Sequence, residues 1–192
     1  MVTRDASSLP ADVLVEVFLA CVDWHIARTS PFTLAQVCGH WRQVALRTRH
    51  LWTDIDVANL SRAELSLRRS RGADLDVTWC DERVVDEGEE DMLDSARNCR
   101  WLCTQAPRFR SLVIHSGWRN PRYLILRLLP PKTEFPRLEY LVLNLSDNDG
   151  RMCRYMLSIQ LSARMPNLRH ITLWYASPTL ERRLSFISPP FP

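Results

Sequence analysis

Glycine and long apolar runs are both scarce in this chain of 192 residues. Five glycines exclude a collagen-like or glycine-rich low-complexity chain. No run of 18 apolar residues occurs, so the sequence predicts no membrane-spanning helix. Acidic residues interrupt the first apolar stretch at Asp5, Asp12 and Glu16, which is not typical of a secretory leader. We therefore expect a protein of the cytoplasm, the nucleus or both, without a membrane partner.

The common catalytic motifs are missing as well. The chain has no Gly-x-Ser-x-Gly, phosphate-binding loop, dinucleotide fingerprint or His-Glu-x-x-His. Cys99 and Cys103 could form a metal site with His115, but a fourth ligand at matching spacing is missing, and both cysteines fall on an apolar helical stripe. We expect no catalytic residue, no bound metal and no cofactor, and hence a protein that is not an enzyme.

The overall composition is that of a globular protein. Apolar residues make up 46% and charged residues 24%, which is enough for a sizeable core. The net charge of +3 is unevenly spread, because residues 101–192 hold 13 basic and 5 acidic residues. Those arginines are scattered singly, and no motif that reads nucleic acid accompanies them. We expect a solvated basic face and not a nucleic-acid site.

The N-terminal region has the apolar spacing of short helices. A first stripe follows Pro10 at helical spacing and consists of Val13, Leu14, Val17, Phe18 and Cys21. A polar segment then leads to Pro31, after which apolar residues continue at helical spacing to Thr48, with a break expected at Gly39. The spacing predicts about three short helices. So small a unit has little core of its own and needs a partner surface.

Three motifs occur in this region in a characteristic order. They are Leu9-Pro10-x-Asp12-x-Leu14-x-Glu16-x-Phe18, then Leu34-x-x-Val37-Cys38-x-x-Trp41-Arg42-x-x-Ala45, then Leu51-Trp52. Their order and spacing resemble the F-box. The resemblance implies an F-box domain at residues 5–52, which binds a Skp-type adaptor and through it a cullin.

In the F-box family binding uses apolar helix faces, which fits helix-in-groove recognition. For Val17, Leu34 and Trp41 the alternative role is to fill the core of the helical unit. Carried over position by position, the implied adaptor-binding residues are Leu9, Pro10, Val13, Leu14, Val17, Phe18, Leu34, Val37, Cys38 and Trp41.

A repeat occupies the rest of the chain. Its strongest copies start at Pro107, Pro136 and Pro166, so the offsets between them are 29 and 30 residues. Each copy continues into alternating apolar residues, and two fainter copies lie at residues 55–57 and 75–77. The pattern predicts five strands.

Each predicted strand is followed by a segment with helical spacing. Ser61-x-x-Glu64 reads as a capping box at the start of the first such helix, and Gly72 follows its end. The other helices are predicted from four apolar stripes: Met92, Ala96, Cys99 and Cys103; Leu124, Ile125, Leu128 and Leu129; Met152, Cys153, Met156, Leu157 and Leu161; and Leu180, Leu184 and Ile187.

Five strands that alternate with five helices at a near-constant period predict an α/β fold. Its strands are parallel and joined by right-handed crossovers, which makes a short solenoid. The Pro-x-Leu-x-x-Leu-x-Leu copies resemble degenerate leucine-rich repeats, which would cover residues 53–192. An F-box followed by such repeats resembles the F-box and leucine-rich-repeat proteins abundant in mushroom-forming fungi.

Alternation along the strands separates a core side of the sheet from an open face. With Leu112, Ile114, Leu141, Leu143, Ile171 and Leu173 in the core, the candidate target-binding residues on the open face are Val113, His115, Tyr140, Val142, Asn144, His170, Thr172 and Trp174. The first two strands place Asp54, Asp56, Asp74 and Asp76 at these positions. Like charges on neighbouring strands repel, so we expect arginines of this chain, or else a basic segment of the target, to neutralise them.

The sequence thus predicts the substrate-recognition adaptor of a Skp-cullin-F-box ubiquitin ligase, which docks through the F-box and binds a target protein on the repeats. The main alternative is a repeat scaffold outside any ligase, in which the helical N terminus is only a cap of the solenoid. A weaker alternative is a protein that binds acidic ligands or nucleic acid through its basic half.

Overall fold

The computed structural model of the chain describes residues 9–23, 29–81, 100–116, 132–145, 164–177 and 180–187. The chain divides into two compact units. The first comprises the residues up to Asp54 together with Glu64–Ala73, and the second comprises Ile55–Ala63 and the residues from Asp74 onward. Across these described residues, no helix combines the length and the apolar character that crossing a membrane requires.

The first unit contains the three short helices predicted from the apolar spacing. They are α1 (Ala11–Asp23), α2 (Pro31–Leu34) and α3 (Gly39–Arg47), and a 3-10 helix follows at Arg49–Trp52. The expected break at Gly39 is the start of α3. Their common core consists of Leu14, Phe18, Leu34, Ala35, Val44, Ala45, Leu51 and Trp52.

Side chains define the starts of two of these helices. Ser30 caps α2, because its hydroxyl accepts a hydrogen bond from the Phe32 amide at 3.3 Å. Cys38 caps α3, because its sulfur lies 3.5 Å from the Trp41 amide nitrogen. These local bonds satisfy amides that a helix start leaves without partners.

The helix that follows the first strand, α4 (Leu60–Arg69), differs from the prediction at its start. Asn59 is the cap: its side-chain oxygen accepts from the Arg62 amide at 3.1 Å, and its carbonyl accepts from the Ala63 amide. Ser61 lies inside the first turn, so the predicted capping box is wrong by two residues. Asparagine is as good a cap as serine, and the helix begins at the earlier of the two. Gly72 lies beyond the end of α4 with a φ of 82°, as glycine after a helix commonly does.

The second unit is built on one sheet, and all five predicted strands are present. They are β1 (Asp54–Asp56), β2 (Leu75–Asp81), β3 (Phe109–Ser116), β4 (Tyr140–Leu145) and β5 (His170–Ser177). The strands lie in chain order, and β2, β3, β4 and β5 pair in parallel. The predicted α/β class with parallel strands is therefore confirmed. Of the helices predicted between these strands, α5 (Arg100–Cys103) is the end of one. The helices expected at 124–129 and 152–161 lie outside the described residues.

The prediction of a terminal helix is wrong. Residues Leu180–Ile187 form a sixth strand, β6, which pairs antiparallel with β5. The spacing of Leu180, Leu184 and Ile187 suits a helix, but Leu184 and Phe186 also alternate as in a strand, opposite Leu173 and Ile171. The edge of β5 decides between the two, because its unpaired backbone groups gain hydrogen bonds from a neighbouring strand.

A turn of the same form precedes three of the strands. Phe109, Leu138 and Leu168 each donate an amide hydrogen bond to the carbonyl three residues earlier. The residues carrying those carbonyls, Ala106, Phe135 and Met165, are all buried, and each is followed by proline. The offsets of 29 and 30 residues found in the sequence thus separate equivalent turns.

Burial alternates along the strands as the sequence predicts. Leu112, Ile114, Leu141, Leu143 and Leu173 are at most 8% exposed. Ile171 is half-buried, as are Val113, Val142 and Thr172 on the opposite side of the sheet. The strand pattern therefore identifies the core side of the sheet correctly.

Candidate functional site

Four large hydrophobic side chains are exposed among the described residues: Val13, Val17, Val37 and Tyr140. All four belong to the residues that the sequence singled out as contacts. The first three lie in the helical unit and the fourth lies on the sheet, so each unit has its own candidate surface.

Helix α1 has two apolar sides. One side enters the core of the helical unit through Leu14 and Phe18, which are completely buried. The other carries Val13 and Val17, four residues apart and therefore neighbours on the helix surface, with 43% and 39% of their areas exposed. Exposed apolar area beside the buried side of a helix is available for contact with another molecule.

We call the exposed apolar residues Pro10, Val13, Val17 and Val37 the valine surface. Pro10 stands just before the first residue of α1, three residues from Val13, and Val37 follows α2 with 58% of its area exposed. These residues gain most from contact with a partner, since their apolar area now faces water.

The structure places the other proposed adaptor contacts differently. Leu14, Phe18 and Leu34 belong to the core cluster and are at most 5% exposed, so they do not form part of the valine surface. Trp41 is half-buried, with its ring centroid 5.0 Å from that of Phe18. Leu9 is half-buried and its carbonyl accepts from His40 Nε2 at 3.0 Å, while Cys38 is the cap of α3. Sequence spacing could not separate these roles because a helical period marks both apolar sides alike.

The open face of the sheet is organised in rows across the strands. One row runs Asp76, Ser111, Tyr140, His170; the next runs Thr78, Val113, Val142, Thr172; the third runs Cys80, His115, Asn144, Trp174. The register therefore brings all eight predicted target-binding positions into three adjacent rows. The side chain of Trp174 lies outside the described part of the structure, and its place is known from the strand register alone.

Tyr140 and His170 form an aromatic platform on this face. Their rings are stacked, with centroids 4.8 Å apart and planes inclined by 7°. Both side chains are exposed, and Tyr140 keeps 41% of its area. The pairing follows from the register, because the two residues are directly opposite each other on β4 and β5. An exposed, mutually supported aromatic pair is a suitable anchor for a partner side chain.

The acidic residues beside the platform are neutralised from within the chain, as the sequence analysis favoured. Arg110 binds Asp76 through two hydrogen bonds, of which the Nε to Oδ1 bond is 3.1 Å long. These bonds are the main reason that the pKa of the Arg110 guanidinium is raised. Arg137 donates to Asp74 at 2.5 Å. Two of the four predicted strand aspartates therefore need no basic partner from a target.

A ladder of charged residues that the apolar pattern did not predict lies at the starts of the strands. Arg110, Glu139 and Arg169 each stand three residues after the proline of a repeat. The Glu139 amide donates to the Arg110 carbonyl at 2.8 Å, and the Arg169 amide donates to the Glu139 carbonyl at 2.9 Å. Charges alternate along this ladder, which favours the observed strand register. The alternation is visible in the sequence at the third residue after each of the three prolines.

No group of three or more histidine, cysteine or acidic residues in the described ranges is arranged to hold a metal ion. Comparison of the whole chain with known proteins gives no match: no family model, no curated protein and no solved structure matches it. The valine surface and the open face of the sheet are therefore the basis on which a function can be argued.

Proposed function

We propose that this chain is the substrate-recognition adaptor of a Skp-cullin-F-box ubiquitin ligase. An F-box at residues 5–52 docks on the Skp-type adaptor, and leucine-rich-repeat-like units within residues 53–192 form a right-handed solenoid that binds a target. The single observation that carries the proposal is the second apolar side of α1, formed by Val13 and Val17. It lies within the motifs whose order and spacing resemble the F-box.

Docking by this surface has a simple physical basis. Burial of apolar area contributes about 25 cal/mol of favourable free energy per Å² removed from water. A partner groove that covers the valine surface would therefore bind it without any chemical step. The buried side of α1, Leu14 and Phe18, keeps the helix in place before the partner arrives. A preformed surface of this kind avoids the entropy cost of ordering upon binding.

Target binding is assigned to the open face of the sheet. The platform of Tyr140 and His170 supplies aromatic area, and the middle row, with Val113, Val142 and Thr172, supplies half-buried β-branched side chains. The neighbouring charges of Asp76 and Arg110 are already paired. The face therefore suits a protein target that brings apolar and aromatic side chains.

The chain acts by position and not by catalysis in this proposal, and it needs no cofactor. Holding a target near a ubiquitin carrier bound elsewhere in the ligase raises the effective concentration of the target. The two binding surfaces of one chain provide that link. The proposal places the protein in the cytoplasm, the nucleus or both.

The experiment that tests the proposal measures binding of the full chain to a purified Skp-type adaptor. We compare the wild type with Val17→Asp and Val37→Asp, which put a charge on the valine surface. Gln36→Asp is the matched control, because it adds the same charge at an exposed polar position next to Val37. Circular dichroism establishes that all four proteins are folded.

We expect the wild type and Gln36→Asp to bind alike, and the two valine variants to bind at least about tenfold more weakly, since a charge would be desolvated in the interface. Equal binding by all four proteins would remove the valine surface from the interface. A folded wild type that does not bind any Skp-type adaptor would instead favour the alternative of a repeat scaffold with a helical cap.

A further inference from the structure

A cysteine, a histidine and an asparagine occupy successive strands at one level of the open face. Cys80 on β2 is the register partner of His115 on β3, and His115 is the register partner of Asn144 on β4. Neighbouring strands of a sheet lie about 4.7–4.9 Å apart, and residues at one register level share a face. The Cys80 thiol and the His115 imidazole are therefore side by side, with Asn144 on the other side of the imidazole.

Solvent reaches this thiol–imidazole pair. Cys80 and His115 are half-buried and Asn144 is exposed. Trp79 and Ile114, which precede the pair in the chain, lie on the core side of the sheet and are at most 5% exposed. Within the part of the chain that the structure describes, the Cys80 sulfur forms no disulfide. The thiol is therefore accessible to a small reagent from solution.

Two carboxylates lie near the pair in the described strands. Asp56 ends the neighbouring strand β1, and its Oδ1 accepts a hydrogen bond from the Ala58 amide at 2.9 Å. Asp81 follows Cys80 in the chain and therefore belongs to the opposite side of the sheet. The positions that border the pair on β2, β3 and β4 are uncharged, namely Thr78, Val113 and Asn144. His115 is thus the basic group placed to take the proton of the thiol.

A histidine beside a cysteine changes the chemistry of the thiol. Transfer of the proton from the Cys80 sulfur to a ring nitrogen of His115 leaves a thiolate next to an imidazolium. The side-chain carbonyl of Asn144 can accept from the other ring N–H and so orient the imidazole, which is the role of the third group beside a nucleophile and its base. The thiolate is the reactive form of cysteine, whereas an ordinary thiol is largely protonated at neutral pH.

We propose that Cys80 is a redox-modification site whose thiolate reacts with hydrogen peroxide. The sulfur attacks one peroxide oxygen, so that an S–O bond forms and the O–O bond breaks. The sulfur is oxidised to a sulfenic acid, and the leaving hydroxide takes the proton of the His115 imidazolium to give water. One peroxide is reduced for each thiolate oxidised, and His115 ends neutral. This reaction depends only on the pairing of β2 with β3, so it stands or fails independently of the proposed function.

The first test compares the reaction rates of two cysteines within the full chain. Cys21 is the internal reference, because it is half-buried like Cys80 and lies in the last turn of α1, where a helix end does not favour a thiolate. Alkylation of each cysteine by iodoacetamide is followed by peptide mass spectrometry between about pH 5 and about pH 9. His115→Gln removes the base. His170→Gln is the matched control, since it changes a histidine of the same face two rows away from Cys80.

We expect Cys80 of the wild type and of His170→Gln to react about tenfold or more faster than Cys21 at neutral pH, where an ordinary thiol is only slightly ionised. In His115→Gln the rate of Cys80 should fall to that of Cys21 and should rise with pH as for an ordinary thiol. Circular dichroism establishes that both variants are folded. A wild-type Cys80 no faster than Cys21, or an unchanged Cys80 rate in His115→Gln, would overturn the inference.

The second test uses hydrogen peroxide itself. The wild type, His115→Gln and Cys80→Ser receive the same low dose, and sulfenic acid is trapped with dimedone and located by peptide mass spectrometry. We expect the trapped group at Cys80 in the wild type, much less of it at Cys80 in His115→Gln, and none at this position in Cys80→Ser. Equal trapping at Cys80 and Cys21 in the wild type would contradict a specific modification site.

Discussion

The guanidinium carbon of Arg69 lies 4.3 Å from the centroid of the Trp52 ring. It also lies 5.5 Å from the Phe32 centroid, and the two rings meet edge to face at 5.0 Å. Trp52 is fully buried, and its indole nitrogen donates to the Ala45 carbonyl at 2.8 Å. Burial lowers the pKa of the Arg69 guanidinium, with the charge of Arg68 adding to the effect. These contacts give a physical reason why Glu64–Ala73 belongs to the helical unit.

Replacement of Arg69 by alanine should therefore destabilise the helical unit. We expect a loss of about 1–2 kcal/mol in the free energy of unfolding, from the lost cation–π contact and the lost packing of the side-chain stem. Urea unfolding followed by circular dichroism measures it. Arg68→Ala, on the exposed side of the same helix, should change stability by less than about 0.5 kcal/mol. Equal effects of the two substitutions would contradict the role given to Arg69.

Truncation should cost much more stability on the buried side of α1 than on its exposed side. Leu14→Ala removes a fully buried side chain and should cost about 2–5 kcal/mol of stability, whereas Val17→Ala should cost less than about 1 kcal/mol. Thermal unfolding of both variants measures the difference. A larger loss for Val17 than for Leu14 would mean that the assignment of the buried side is wrong.

The start of α4 offers a direct comparison of two caps. Asn59→Ala should destabilise the protein by about 1 kcal/mol, because the Arg62 amide loses its acceptor. Ser61→Ala should be within about 0.5 kcal/mol of the wild type, since its side chain lies on the exposed first turn. Chemical unfolding of the two variants decides between Asn59 and the capping box read from the sequence.

The stacked rings of Tyr140 and His170 should be energetically coupled. A double-mutant cycle with Tyr140→Ala and His170→Ala should give a coupling of about 0.5–1.5 kcal/mol, as expected for an aromatic pair in contact. Strictly additive stability changes would show that the stack contributes nothing. Because the pair lies on an exposed face, we expect the single substitutions to leave the fold intact.

Much of the fold follows from local patterns in the sequence. The helical periods predict α1, α2 and α3, and the repeat beginning at each proline predicts β3, β4 and β5 with their core residues. These predictions are correct because each depends on a few neighbouring residues. The period of the apolar positions distinguishes a helix from a strand, and the proline marks the turn before a strand. The caps are local as well, because Ser30 and Cys38 accept hydrogen bonds from amides only two and three residues further along the chain.

The candidate surfaces depend on more than periodicity. The sequence identified Val13, Val17, Val37 and Tyr140, yet it grouped them with Leu14, Phe18 and Leu34, which the structure buries. The apolar spacing of one helix does not show which of its apolar residues enter the core and which remain exposed.

By itself, the sequence determined the short helices of the first unit, the order of strands β1 to β5, the repeat, and the alternation that separates the two sides of the sheet, since spacing along the chain is enough to specify each of them. Only the tertiary structure decided that Leu180–Ile187 is a strand, that Arg110 and Arg137 neutralise Asp76 and Asp74, and that Arg69 covers Trp52. Each of these choices depends on a neighbour distant in the chain: an open strand edge, a facing charge, or an aromatic ring.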